Sequence, residues 1–198
     1  MGLSHSRNYS KRNYNRIVEN NTEKPRINYA PDTIGVSIRI PSGIKDYPNR
    51  SLHDWSLYGK YEEVIWLIEN GSNVNEMDEN GRTPLYSSIK HPKIAKALLD
   101  NGCSLSSIDI NERTPLIYAC QSVAPFETIK LFISSGSDVN AKDKFKETPL
   151  FHSSNKGKID AVNLLLENGA ERYHKNHIGE TAYENSPKCF KEMMFVLK

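Results

Sequence analysis

Cysteine is scarce in this chain: Cys103, Cys120 and Cys189 are its whole supply, and no two of them stand at Cys-x-x-Cys spacing. That argues against a disulfide-stapled domain and a cysteine-built zinc fold, and suits a reducing compartment. Long apolar runs are missing too. No stretch approaches the ~18 residues needed to cross a bilayer, and the first residues lack the apolar core of a signal peptide. There is no Gly-rich phosphate loop and no nucleophile elbow. Charge is nearly balanced, at +2 with pI ≈ 8.3, a weak footprint for nucleic-acid binding. These absences leave a small, non-catalytic domain whose 37% hydrophobic content must be organised some other way than around a cofactor.

What is present is periodicity. Thr83, Thr114, Thr148 and Thr181 follow one another at 31, 34 and 33 residues. Asp78, Asp109, Asp143 and Asn176 each stand five residues before their Thr, and Gly71, Gly102, Gly136 and Gly169 each stand twelve before it. An earlier, degenerate unit is legible in Arg50-Ser51-Leu52-His53, with Gly59 and Trp66-Leu67-Ile68 in the matching slots. A period near 33 with Thr-Pro-Leu resembles the ankyrin repeat, over about 50–198. The resemblance implies an all-α ankyrin-repeat solenoid of helix-turn-helix units joined by short hairpins, with units at about 50–82, 83–113, 114–147, 148–180 and a capping unit at 181–198. Each unit buries its face on its neighbours.

The repeated residues have local physical reasons. A Thr hydroxyl can accept a hydrogen bond from a free N–H of the first helical turn, and the Pro after it loses no helical bond at that position. Val64, Leu67 and Ile68, or Val162, Leu165 and Leu166, recur at helical spacing and supply the packed stripe. Gly in Leu-Leu-Glu-Asn-Gly169 and its relatives stops the second helix with a left-handed cap. The Asp that follows has a side chain short enough to bond the hairpin backbone.

Departures from the family pattern carry expectations of their own. The His of Thr-Pro-Leu-His is Tyr86, Ile117 and Phe151 and survives only as His53, so packing is expected to replace its polar bond. The turn glycine is kept at Gly81 and Gly179 but is Glu112 and Lys146 in the middle units, where Asn111 is the residue expected to accept a left-handed backbone. Unit two is two residues short around Lys90-His91-Pro92, which shortens its first helix. Cys103 and Cys120 fall where the family usually has Ala and read as small buried residues.

Residues 1–49 are a different material. Eight basic residues (Arg7, Lys11, Arg12, Arg16, Lys24, Arg26, Arg39 and Lys45) face four acids there, against 18 basic and 20 acidic residues in the rest of the chain. This composition predicts a largely disordered basic tail, with an extended segment at 34–40 where apolar and polar residues alternate. Met1-Gly2-Leu3-Ser4-His5-Ser6 fits the N-myristoylation pattern, with Gly2 as the lipidated residue. One acyl chain needs a second signal, and the basic residues up to Arg16 would attract an anionic membrane surface. A flexible basic tail accounts for the same residues without lipid.

No residue is assigned a catalytic, cofactor-binding or metal role. His174 and His177 have the look of a metal pair, but no Cys or carboxylate ligand stands at a matching spacing. By resemblance, an ankyrin stack binds a protein partner along a concave face of hairpin tips and first helices. The register maps that face to Met77, Glu79, Asn80 and Arg82; Ile108, Ile110, Asn111 and Arg113; Lys142, Lys144, Phe145 and Glu147; and Lys175, His177, Ile178 and Glu180. Apolar residues at tips, flanked by charge, have the form of a partner site. The expected protein is a monomeric cytoplasmic adaptor or inhibitor, peripheral to a membrane if Gly2 is acylated. The alternatives are a regulator that touches nucleic acid through its tail, and a pathogen effector or viral host-range protein of the same architecture.

Overall fold

The computed structural model describes residues 41–46 and 49–187, in two compact units divided between Ser51 and Leu52. Gly2, the basic tail before Pro41, the segment 34–40 and residues 188–198 of the capping unit lie outside the described residues. In the N-terminal unit a short helix, α1, spans Ser42–Asp46.

The second unit alternates short first helices with longer second helices. The first helices are α2 (Leu52–Leu57), α4 (Pro84–Ser87), α6 (Pro115–Gln121), α8 (Pro149–Asn155) and α10 (Ala182–Asn185). The second helices are α3 (Tyr61–Glu69), α5 (Pro92–Asp100), α7 (Phe126–Ser134) and α9 (Ile159–Glu167). Successive first helices pack on one another, and so do successive second helices, making two parallel layers. The core between them is a row of fully buried side chains that includes Trp55, Val64, Leu85, Leu98, Leu116, Phe132, Leu150 and Leu165. Burying each such side chain favours folding by roughly 1.5–3 kcal/mol relative to leaving it in water. No strand forms among the described residues; Lys175 and Thr181 make one isolated antiparallel bridge.

The starts of the helices are less uniform than the Thr-Pro pattern implies. Thr114 and Thr181 cap through their side chains, accepting from the N–H of Ile117 and of Glu184, and Glu184 returns the bond to the Thr181 N–H to complete a capping box. Thr83 and Thr148 make no side-chain cap. The Thr83 hydroxyl is buried and faces the Cys103 thiol at 3.8 Å instead. In both units Pro at the first helical turn and an extended Thr still set the start. In unit two α4 lasts four residues and passes into a 3₁₀ turn at Ser88–Lys90 before Pro92 opens α5.

Two other expectations are corrected. Packing alone does not replace the missing histidine at Tyr86, because its hydroxyl reaches the carbonyls of Ser107 and Arg113 at 2.7 and 2.6 Å. A phenol is longer than an imidazole and spans to the next hairpin. Nor does Asn111 absorb the lost turn glycine: Glu112 itself takes φ 60°, as Lys146 takes φ 57°, so both hairpins keep the glycine geometry without the glycine. The strain of about 1–2 kcal/mol per residue is borne by the surrounding bonds.

Gly102 ends α5 with φ 83°, and a Cβ there would meet nothing within 4 Å. Gly59 has φ 72°, and its Cβ would lie 2.5 Å from the His91 ring. Gly102→Ala should therefore lower stability by about 1–2 kcal/mol through backbone conformation alone, and Gly102→Val by more. Gly59→Ala should cost more than Gly102→Ala, with the excess removed in a Gly59→Ala/His91→Ala double variant. Urea denaturation midpoints check the series; an unchanged midpoint for Gly102→Val is incompatible with this helix ending.

Candidate partner-binding face

Each hairpin is organised by a single side-chain oxygen. Oδ1 of Asp78 accepts from the N–H of Asn80 and Arg82, Oδ1 of Asp109 from Asn111 and Arg113, Oδ1 of Asp143 from Phe145 and Glu147, and Oδ1 of Asn176 from Ile178 and Glu180. The turn is closed by the side chain, so the tip residues need no core contact to hold their positions. Neighbouring hairpins are then tied in series. Ile110 N–H donates to the Asn80 carbonyl, Lys144 N–H to Asn111 and His177 N–H to Phe145, at 2.9, 3.2 and 3.0 Å. Two asparagines add clamps: Asn75 bonds the Gly102 carbonyl and the Ser104 N–H, and Asn140 bonds Gly169 and Glu171 in the same way.

This ladder fixes a continuous edge of tips. The five apolar tip residues are all exposed: Met77 at 58%, Ile108 at 52%, Ile110 at 66%, Phe145 at 45% and Ile178 at 62%. Phe145 is the most covered, with its ring 5.3 Å from that of His177 and the Lys144 ammonium 5.1 Å from its centroid. Glu79, Asn80, Lys142, Lys144, Lys175 and His177 are exposed beside them. Asn111 is half-buried, and its carbonyl and side-chain oxygens accept from the Lys144 N–H and ammonium.

The last mapped residue of each hairpin behaves differently. Arg82, Arg113, Glu147 and Glu180 are half-buried and bonded within the stack. Arg113 reaches Asp109 at 2.6 Å and also bonds Gln121, while Arg82 approaches the same carboxylate at 3.4 Å. Glu147 lies beside His152 and Asn176, and Glu180 accepts from the Asn185 amide. Tyr118, absent from the sequence-based face, lies against both guanidiniums, with its ring centroid 4.7 Å from Arg82 and 5.1 Å from Arg113. No local motif marks Tyr118; only the register between α6 and two hairpins brings it there.

His174 and His177 do not converge on a site. His174 Nε2 bonds the Lys146 carbonyl and His177 Nδ1 the Phe145 carbonyl, so each ring joins the fourth hairpin to the third. The two described cysteines are buried, and burial pushes the Cys120 thiol up to about 11 and raises Cys103, which leaves both as poor nucleophiles. No helix among the described residues is long and apolar enough to cross a membrane.

A sequence model of the family "Ankyrin repeats (3 copies)" matches residues 52–143 and 122–194. The chain belongs to the ankyrin-repeat family. This ankyrin chain is 26% identical to Neurogenic locus notch homolog protein 1 of Xenopus laevis over 162 residues, 81% of its own length and 6% of that protein. It is 36% identical over 129 residues to the Putative E3 ubiquitin-protein ligase XBAT35 of Arabidopsis thaliana, covering 64% of the chain and 21% of the relative. Over 58 residues it is 38% identical to Protein phosphatase 1 regulatory subunit 12A of Mus musculus, 29% of the chain and 6% of that subunit. The chain thus spans only a small part of these relatives. Ankyrin repeats are in general non-catalytic modules that bind protein partners.

Asp109 is the most heavily used carboxylate of the face, fully buried and bonded to two backbone N–H groups and two arginines. Burial alone raises its carboxyl pKa, but the Arg113 side chain and the hairpin N–H groups outweigh it and hold the pKa below its ordinary value. Asp143 is held low in the same way, against burial, by His152 and its own hairpin. A depressed folded-state value means stabilisation that is complete above the unfolded carboxyl range near about 3.9 and lost as pH falls through the lower folded value. Asp109→Ala should destabilise by about 3 kcal/mol, because it strands a hairpin and Arg113 together. Asp109→Asn, which keeps the acceptor as Asn176 does, should cost less and flatten the acid limb of the stability curve. Denaturant melts between pH 2 and 7 read both effects.

Proposed function

We propose that this protein is a non-catalytic adaptor or inhibitor that engages a protein partner along the hairpin edge and the concave side of its first helices. The observation that carries this reading is the exposed apolar row Met77, Ile108, Ile110, Phe145 and Ile178, set on a rigid hydrogen-bonded ladder and flanked by charge. A backbone held in place before binding loses little freedom on association, which helps a small apolar contact reach useful affinity. Charge runs along the row from Glu76, Asp78 and Glu79 to Lys142, Lys144 and Lys146, so a partner with the reverse gradient docks in one direction. The likeness to a phosphatase regulatory subunit supports the adaptor role. Membrane tethering through acylated Gly2, reinforced by Arg7, Lys11, Arg12 and Arg16, is the second part of the proposal and rests on the sequence pattern.

Phe145→Ala tests the face. Capture of partners from the native cell should fall about tenfold or more, while the thermal midpoint stays within about 2 °C of wild type. Loss of both together would mean that Phe145 serves the stack through His177 and not a partner. For the tether, intact mass spectrometry of protein made in a eukaryotic cell should show an acyl chain on Gly2, absent in Gly2→Ala. A bare or acetylated terminus rejects the membrane half and leaves the adaptor half standing.

A further inference from the structure

The second and third hairpins share a frame but differ in charge at one register position. In the second, Asp109 is followed four residues later by Arg113, and a guanidinium neutralises the buried carboxylate at 2.6 Å. In the third, Asp143 is followed four residues later by Glu147, so a second carboxylate stands where its neighbour has a cation. Neither acid forms an ion pair with a Lys or Arg among the described residues. What faces them is the imidazole of His152 on α8, whose Nε2 lies 3.0 Å from Asp143 Oδ2 and 3.8 Å from Glu147 Oε2.

The other atoms of these groups are occupied in a way that aims the free ones inward. Asp143 Oδ1 is taken by the Phe145 and Glu147 N–H groups, and Glu147 Oε1 faces the Asn176 amide at 3.4 Å. Oδ2 and Oε2 therefore both approach Nε2, and one ligand atom from each of the three residues lies within 4.8 Å of the others, in a site where the Asp143 side chain is 3% and the His152 side chain 7% exposed. Ligands on a tetrahedral zinc ion, bound at roughly 2.0–2.2 Å, lie about 3.3–3.6 Å apart, between the Nε2–Oδ2 and Nε2–Oε2 separations seen here. Backbone and amide donors on the outer oxygens are the outer-shell support that metal carboxylates use.

We propose that Asp143, Glu147 and His152 form a binding site for a divalent transition-metal ion of the zinc type. The imidazole and the small number of oxygens select against calcium and magnesium, which take more oxygen ligands. Binding places the metal on the Nε2 lone pair, so the proton at Nε2 leaves to solvent or resides on Nδ1. The ion takes the role that Arg113 plays one unit earlier. It links the third hairpin to the first helix of the next unit, and through Asn176 to the fourth hairpin. Sequence reading passed over the set because its spacing of four and five residues across a hairpin and a helix start matches no familiar metal motif, while His174 and His177 resembled one.

The test uses the full chain, stripped with a chelator and titrated with zinc chloride by calorimetry and by thermal midpoint. Wild type should bind one zinc through this site and melt at a higher temperature when loaded. Glu147→Gln and His152→Gln should weaken that binding at least about tenfold, since losing even an outer-shell partner costs this much. Glu147→Arg guards against a folding artefact. It rebuilds the arrangement of the second hairpin, so it should stay folded without metal and show neither the binding nor the zinc-dependent rise in midpoint. Absence of zinc binding in wild type overturns the proposal and leaves His152 as a counter-ion to two acids. Binding of equal strength in folded Glu147→Arg overturns it as well, and assigns the metal to other residues.

Discussion

The hairpins hold the molecule to its register, and each depends on one oxygen. Oδ1 of Asp78, Asp109, Asp143 or Asn176 accepts two backbone N–H groups, two and four residues onward, and so closes the turn. Once that turn is fixed, a left-handed residue must follow at its corner, whether glycine as in Gly81 and Gly179 or strained as in Glu112 and Lys146. The carbonyls of Asn80, Asn111 and Phe145 then project toward the next hairpin and accept its N–H. A break at the oxygen loosens the corner, the ladder and the start of the following helix together.

Energy and function are divided between the two sides of the stack. The layers of α2 to α10 bury apolar side chains against their neighbours, and this burial drives folding. The hairpin side contributes direction: polar bonds that each add little net stability but admit only one arrangement. Because those bonds are made largely by backbone and by Asp or Asn, the apolar tip side chains are released from structural duty. That is why Ile110 and Ile178 can stand more than half exposed without loosening the fold.

The half-buried position before each Thr shows how a repeat can vary its chemistry without altering its frame. Arg82 and Arg113 converge on Asp109 and enclose Tyr118, whereas Glu147 turns to His152 and Glu180 to Asn185. The backbone bonds around each are the same, so this one position sets whether a cation or a second acid stands at the junction between units. Surface tips and internal junctions can therefore change independently.

The sequence determined the repeat, the glycine-ended helices and the exposure of the apolar tips, because these follow from local rules: spacing, helix caps and the reach of an Asp side chain. It also made the shortened α4 legible through the missing residues near Pro92. Only the tertiary structure decided which polar groups meet. Tyr86 reaches across its unit to the hairpin carbonyls of Ser107 and Arg113, Tyr118 lies against guanidiniums from two hairpins, and His152 faces two acids while His174 and His177 do not come together. Such encounters depend on side-chain length and on the offset between stacked units, a distance in space that no interval along the chain encodes.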